Sequence, residues 1–391
     1  MNEEERTGVG ARILRCVPRV VQARTPLDGP IGLLLLMVPI SLWATFDIGF
    51  SLPKAICLLL GVAVFYATTE YARDLEHLHR ALVAFFFVGS AVAALAIFGT
   101  NWLYKAPLLA DIVRQFPQWI RGLPGAAEGF HPNEVAGVLL WFVPVQMALL
   151  VSCWQGRRLK RWRAVALVFS TVLTSLTLIL TQSRGGWLGL VVGLALMGAW
   201  ANRRVRIGVL LLAVVLLAVV GKRGPTWFGT VVFGEATAEV VGTFNWAFRV
   251  QVWQAALWGI RDFPFTGMGL GTFRRVARVL YPLAIPTSYD IAHAHNGFLQ
   301  AGVDFGVPGL VAYTSIWLLA GALLTSSAGR AQGRLRTLAI GLGGSLLSSM
   351  VFNLTDTVAL GAKPGPAWWM MLGLIVSVFR LVQGRGLEES C

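Results

Sequence analysis

The chain reads as an all-α, polytopic integral membrane protein of about 10 transmembrane helices (10–12), with an external helical cap between the seventh and eighth spans. Composition is the first reason. Of 391 residues, 56% are hydrophobic and 13% charged, with a mean hydropathy of +0.66, far more apolar than a soluble domain. The second is periodic length: apolar runs of about 15 to 20 residues recur, each sufficient or nearly so to cross a hydrocarbon core of roughly 30 Å as a helix. The third is the placement of charge, which collects in the short segments between those runs.

Taken in order, a polar, basic tail at 1–30 precedes spans at 31–50, 52–69, 81–98, 134–153, 164–181, 186–201, 207–221, 306–325, 337–355 and 366–382. The tail has no apolar core of its own, so no cleavable signal peptide is expected and the first span serves as the insertion signal. Residues 31–382 form a single transmembrane domain that includes the cap segment 222–305, and 383–391 is a short C-terminal tail. Cys16, Cys57, Cys153 and Cys391 lack paired or metal-ligand spacing, so neither a disulfide framework nor a zinc site is expected.

With the N-terminus in the cytoplasm, the inside segments together with Arg380 at the inner end of the last span hold 20 of the 33 Lys and Arg and 9 of the 19 acids, a net +11 inside against +3 for the rest. That bias has the sign the positive-inside rule requires. It also accounts for the net charge of +14 without nucleic acid. The span "IGVLLLAVVLLAVVG" at 207–221 is short, but without it "GRAQGRLR" (329–336) would lie outside, against the rule. Three features then face the exterior: the loop 99–133, the turn "TQSRGG" at 181–186 and the segment 222–305.

Several residues in these segments have chemical potential. Arg184 sits in a turn between two spans, where a guanidinium must face a cavity, a partner or the interface. Gly185 and Gly186 remove bulk beside it at the start of a helix, whose N-terminus favours anions; snorkelling to the interface is the bland alternative. In "FNWAFRVQVWQAALWGI" (244–260), Trp246, Val250, Trp253, Leu257 and Ile260 recur at helical spacing and predict an amphipathic helix at the interface. Arg249 shares that apolar face, either stacked on tryptophan or as an anion clamp, since guanidinium is a fork of donors that stays charged. Next comes "FPFTGMGLGTFRRVARVLYP", a glycine-rich turn that is weak evidence for phosphate binding. Arg274, Arg275 and Arg278 follow it as a basic stripe facing solvent or headgroups.

His293 and His295, one residue apart, would point to different sides of a helix. Asp290 alone does not complete a metal set with them. A histidine capping the helix mouth and a general base, neutral near pH 7 and able to accept a proton, are both open readings.

Together, "TQSRGGWLGL", "FRVQVWQAALWGIRDFPFTGMGLGTF" and "HAHNGFLQAGVDFGVPGL", helped by "FHPNEVAGVLLW", resemble the O-antigen ligase and O-antigen polymerase family over about residues 130–310. The resemblance implies a bacterial inner-membrane glycosyltransferase whose site faces the periplasm. It would move a glycan from a polyprenyl (undecaprenyl) diphosphate carrier to an acceptor such as a lipid A core, a growing glycan or a protein. It implies that Arg184 and Arg249 engage the donor diphosphate, that His295 is the base for the acceptor hydroxyl and that Asn296 orients the site. His293, Arg274 and Arg275 are further substrate-binding candidates. Two arginines can stabilise the leaving diphosphate as a metal does elsewhere, so inversion without metal or other cofactor is expected. The alternatives are a polymerase of the same family and a transporter or flippase for lipid-linked glycans. Against transport, the charges cluster at one mouth, where transporters often place theirs near the midplane.

Overall fold

The computed structural model describes residues 25–102, 107–123, 126–154, 160–233, 246–285 and 290–388. Residues 1–24 of the expected N-terminal tail, Cys16, Cys391 and the first half of "GRRLKRWR" (156–159) lie outside the described residues. Among the described residues, nine helices are long and apolar enough to cross a membrane, and Asp28–Ala44 is a shorter apolar helix. These ten occupy the ten expected positions.

The order is α1 (Asp28–Ala44), α2 (Ile48–Tyr71), α3 (Leu75–Gly99), the short α4 (Pro107–Val113), α5 (Pro132–Leu139), α6 (Val143–Trp154), α7 (Arg161–Leu180), α8 (Arg184–Ala201), α9 (Arg203–Arg223), α10 (Pro225–Phe233), α11 (Trp246–Asp262), α12 (Phe273–Leu280), α13 (Gly297–Arg330), α14 (Gly333–Asn353) and α15 (Gly365–Glu388). α1 ends at Ala44, earlier than the expected 50, because Asp47 caps α2: its carboxylate accepts from the Phe50 backbone N–H at 3.1 Å. α14 lies at the centre, against α8, α6 and α13, while α15 packs on α2 and α3. α9 has no buried residue, so its apolar side chains face outward all round, as lipid permits and water does not.

α14 approaches α8 closely because α8 presents glycines at that contact. A Cβ on Gly189 would lie 2.5 Å from the Ser348 carbonyl oxygen, and one on Gly193 would collide with the Ser348 side chain. Without a hydrophobic drive between helices in lipid, such backbone contact supplies the packing.

α13 is two helices, 297–305 and 307–330, joined at Gly306 (φ 69°). The arms fold back on one another. A Cβ on Gly302 would lie 3.8 Å from that of Leu310, and the Phe298 ring centroid is 5.5 Å from Tyr313 and 6.3 Å from Trp317. Pairing of 302 with 310 and 298 with 313–317 is that of an antiparallel hairpin. Residue 297 therefore lies about 13 Å below the turn, at 1.5 Å per residue. The membrane span expected at 306–325 is the second arm; the first is a separate element that carries the "HAHN" segment inward.

The glycine-rich turn serves this hairpin. The Val307 N–H donates to the Pro264 carbonyl (2.6 Å) and Met268 N–H to Val303 (2.7 Å). Gly267 (φ 68°) has no room for a side chain: a Cβ would lie 2.6 Å from the Asp304 carbonyl carbon. The turn thus clamps the bend at Gly306. α11 packs against α13 through the face next to the apolar stripe expected at the interface, and Arg249 lies on that packed face. Phe248, Arg249, Val252, Ala255, Ala256 and Gly259 are buried, while Leu257 is 55% exposed. Small residues win the buried face because they permit close approach to the hairpin, and Met268, Phe273, Ile291, Ala294 and Val303 complete this second core.

Candidate active site

The site is assembled around Asp356, in the loop between α14 and α15. It is 2% exposed, and its partners reach it from three other chain segments and from its own loop. Its Oδ1 lies 3.3 Å from His295 Nδ1 and 3.5 Å from His293 Nε2 and accepts from the Thr357 N–H at 3.0 Å. Its Oδ2 accepts from Asn133 Nδ2 at 2.8 Å, at the start of α5, and faces an Arg249 guanidinium nitrogen at 3.5 Å, from α11. Burial pushes this carboxyl up, but His295, Arg249 and His293 outweigh burial and hold it well below the usual carboxylate range. Arg249, 4% exposed, is lowered by burial and raised in part by Asp356; guanidinium remains charged regardless.

Both histidines turn to the same side, contrary to the helical expectation. Residues 290–296 are not helical, and His295 adopts φ 47°, a left-handed conformation uncommon outside glycine. That twist brings the rings to 4.3 Å between centroids. His295 is fixed further by the Phe248 ring, edge-on at 5.4 Å, and by Trp253 Nε1 donating to its carbonyl at 3.1 Å. Asn296 caps the first arm of α13: its Oδ1 accepts from Phe298 and Leu299 N–H, both at 3.0 Å, and its Nδ2 donates to the Leu354 carbonyl at 3.1 Å. One side chain therefore joins the helix mouth to the loop that carries Asp356.

The tautomers follow from these contacts. His293 Nδ1 accepts from the His295 backbone N–H at 3.1 Å, which leaves its proton on Nε2, towards Asp356. Burial, then the neighbouring His295, keep the His293 imidazole well below its ordinary value, and hence neutral. His295 points Nδ1 at the same carboxylate oxygen, at 3.3 Å, an arrangement in which a proton on Nδ1 would leave the lone pair on Nε2. His293, His295 and Asp356 have the composition of a metal-ligand set, with ligand atoms within 4.8 Å. A metal would need the His293 Nε2 lone pair, which the backbone hydrogen bond at Nδ1 opposes. Residue chemistry thus suits an acid-held histidine pair better than a metal centre.

Arg184 is the first residue of α8, exposed. The turn before it is 181–183, with Gln182 at φ 52° and Ser183 capping α8 through Oγ, which accepts from Gly186 N–H at 3.3 Å. This helix mouth lies beside the Asp356 loop: a Cβ on Gly185 would stand 3.3 Å from Thr355 Oγ1. Gly186 serves packing, since a Cβ there would come within 2.8 Å of Ala136. Arg274 and Arg275 are not brought to Asp356. Arg274 pairs with Asp290 at 2.5 Å and Arg275 with Asp47 at 2.9 Å, all at least one-third exposed. Arg275 also lies over the Phe50 ring at 4.7 Å. Arg278 donates to the Ile285 carbonyl.

Asp356 itself was missed in the sequence, as was the role of Asn133 as its partner. The available signal was a lone acid in "NLTDTVALG", an otherwise uncharged turn between two spans.

Residues 169–314 match the family model described as O-antigen ligase. The match contains Arg184, Arg249, His293, His295 and Asn296 and stops short of Asn133 and Asp356. No curated protein matches the chain.

Proposed function

We propose, from the match of residues 169–314 to the O-antigen ligase family model, that this chain is a glycosyltransferase. It moves a glycan from an undecaprenyl-type diphosphate carrier to an acceptor hydroxyl at the outer side of a bacterial cytoplasmic membrane. The observation that carries this reading is the Asp356 hub, which holds a base and a cation over one buried carboxylate. His295 Nε2 takes the proton of the acceptor hydroxyl as its oxygen attacks the anomeric carbon. Asp356 holds the ring in the required tautomer and stabilises the imidazolium that forms, the role a carboxylate has behind a catalytic histidine elsewhere. The carrier diphosphate leaves with the bonding electron pair, and its growing negative charge is met by Arg249 and Arg184 together with the N–H groups that open α8. Attack opposite the leaving group inverts the sugar linkage. His293, neutral and donating to Asp356, is a positioning residue.

Ligation and each step of polymerisation are the same displacement, and the ligase-type reading is preferred on the description of the matching family model. A carrier of lipid-linked glycans is disfavoured: a transport site does not need a carboxylate-oriented base. The test is incubation of purified protein with a polyprenyl diphosphate glycan and candidate acceptors, read by mass. A covalent product with release of polyprenyl diphosphate supports the proposal; movement of the donor across a vesicle without a product overturns it.

A further inference from the structure

The loop that carries the two histidines is pinned by a side chain that the transfer step does not use. Gln300, in the first arm of α13, is buried, and its Oε1 accepts from the Ala294 backbone N–H at 2.7 Å. A backbone N–H can only donate, so this bond fixes the amide orientation of Gln300 and turns its Nε2 to Asp304 Oδ1, at 2.9 Å, one helical turn further on. The same oxygen accepts from the Gly271 N–H at 2.8 Å, and the Asp304 carbonyl accepts from Ser41 Oγ of α1 at 2.7 Å. A buried chain of hydrogen bonds thus runs from the glycine-rich turn through Asp304 and Gln300 to the residue before His295.

What this chain holds is the strained part of the site. His295 stands at φ 47°, a conformation that persists only where its surroundings over-determine it. The groups on either side of the twist each have a fixed partner: Ala294 N–H on Gln300, His295 N–H on His293 Nδ1 and the His295 carbonyl on Trp253 Nε1. The bond at Ala294 ties the twist to the bend at Gly306, because Asp304 lies two residues before that bend and its carbonyl carbon abuts Gly267. Fold stability alone is a poor reason for the pair. Asp304 Oδ2 is buried without a hydrogen-bond partner among the described residues, a desolvation cost that an apolar residue would avoid. What the polar pair supplies is direction.

Resting on the glycosyltransferase reading above, we infer that Gln300 and Asp304 are positioning residues for the base: they hold the Ala294–His295 backbone, and through it the His295 ring, where Nε2 can take the acceptor's proton. Neither side chain touches substrate. Their loss therefore acts on the chemical step and not on the binding of donor or acceptor.

Three measurements test it. In the intact wild-type protein, amide exchange resolved to single residues by mass should show the Ala294 N–H, outside any helix, exchanging at least about 10²-fold more slowly than an open loop; exchange at the open-loop rate overturns the assignment. In the transfer assay, Gln300→Glu keeps the size of the side chain and the acceptor for Ala294, but sets a second carboxyl group against Asp304. At about pH 6 the two share a proton, which replaces the lost N–H donor; as pH rises the proton leaves and the carboxylates repel, with Lys54 of α2 the charge that faces Asp304. The single-turnover rate, taken relative to wild type at each pH, should fall about 10²-fold between about pH 6 and about pH 9, the cost of a misplaced reacting group. Both KM values should stay within twofold. A constant ratio, or a loss carried by either KM, overturns the assignment. Gln300→Asn keeps the amide but is one methylene too short to reach both partners, and should lose about tenfold in rate at unchanged KM; a wild-type rate there overturns the assignment even if Gln300→Glu does not fold. Failure of the parent reading is distinguishable, since wild-type protein would then give no product while the protection of Ala294 remained.

Discussion

At Asp356 five partners converge on two oxygens, and the chemistry depends on its charge. Asp356→Asn keeps the shape but removes the acceptor that selects the histidine tautomers, and is expected to lower the single-turnover rate by about 10²–10⁴, the usual worth of a general base. Arg249 is the buried counter-charge. Arg249→Ala should destabilise the fold by about 3–5 kcal/mol, because it leaves a buried carboxylate uncompensated, while Arg184→Ala, at an exposed position, should leave the melting temperature nearly unchanged and abolish transfer. Lys at either position should rescue poorly for want of a fork; near-normal rates in both Lys variants would reduce the clamp to plain point charges. The pH dependence has a definite sign. His293 is held well below its ordinary value, so its contribution is complete above about pH 6.5 and stability is lost as pH falls below that. Asp356 is also depressed and its contribution persists until pH falls below about 4. Melting temperatures should therefore decline from about pH 6.5 downward in the wild type, and less steeply in His293→Gln; parallel curves would contradict the buried neutral histidine.

At the scale of elements, the helical hairpin 297–330 positions the site. Gly306 turns it with φ 69°, and a Cβ there would lie 2.6 Å from the Pro264 carbonyl oxygen. Gly306→Ala therefore meets both backbone strain and a collision with backbone. A loss of at least about 1–3 kcal/mol, the cost of such a conformation, is expected, with activity falling before the fold is lost, because the first arm carries His295 and Asn296. Thermal melts and transfer rates of the same sample test this; a variant with wild-type melting and rate would mean that the bend does not position the histidines. The hairpin was only half legible in the sequence. Its second arm is a continuous apolar run and reads as a span, and the first reads as the helix whose mouth follows His295, but the reversal between them leaves no mark, nor do the partners of Gln300 and Asp304, both buried. Those groups are tolerated because Asp304 Oδ1 accepts from Gln300 Nε2 and Gly271 N–H at 2.9 and 2.8 Å. Periodicity has no access to such long-range pairing. The same limit applies to α11, where periodicity shows an amphipathic helix but not that the residues beside its apolar stripe, Arg249 among them, form the packed face.

For the whole molecule, span positions were legible because lipid imposes a length and a composition on every crossing, and motif order placed Arg184, Arg249 and His295 at one end of the bundle. The hub was not legible, because Asp356 lies beyond the motifs and owes its role to four chain segments meeting at it. The orientation expected from the +11 against +3 charge distribution predicts that a cysteine at Gly122 reacts with an impermeant thiol reagent from outside the cell and one at Gly333 does not; the reverse pattern would invert the proposed topology. The central claim is that His295 and Asp356 act as one base in a transfer that needs no metal. It is tested most directly by single-turnover rates of glycan transfer for the wild type, His295→Ala, Asp356→Asn and the double variant, with and without EDTA. The account predicts no effect of EDTA, a loss of about 10²–10⁴ in each single variant and little further loss in the double, because residues acting as a unit are not additive. Losses that multiply in the double variant, or wild-type activity that disappears in EDTA and returns with magnesium or manganese, would contradict it.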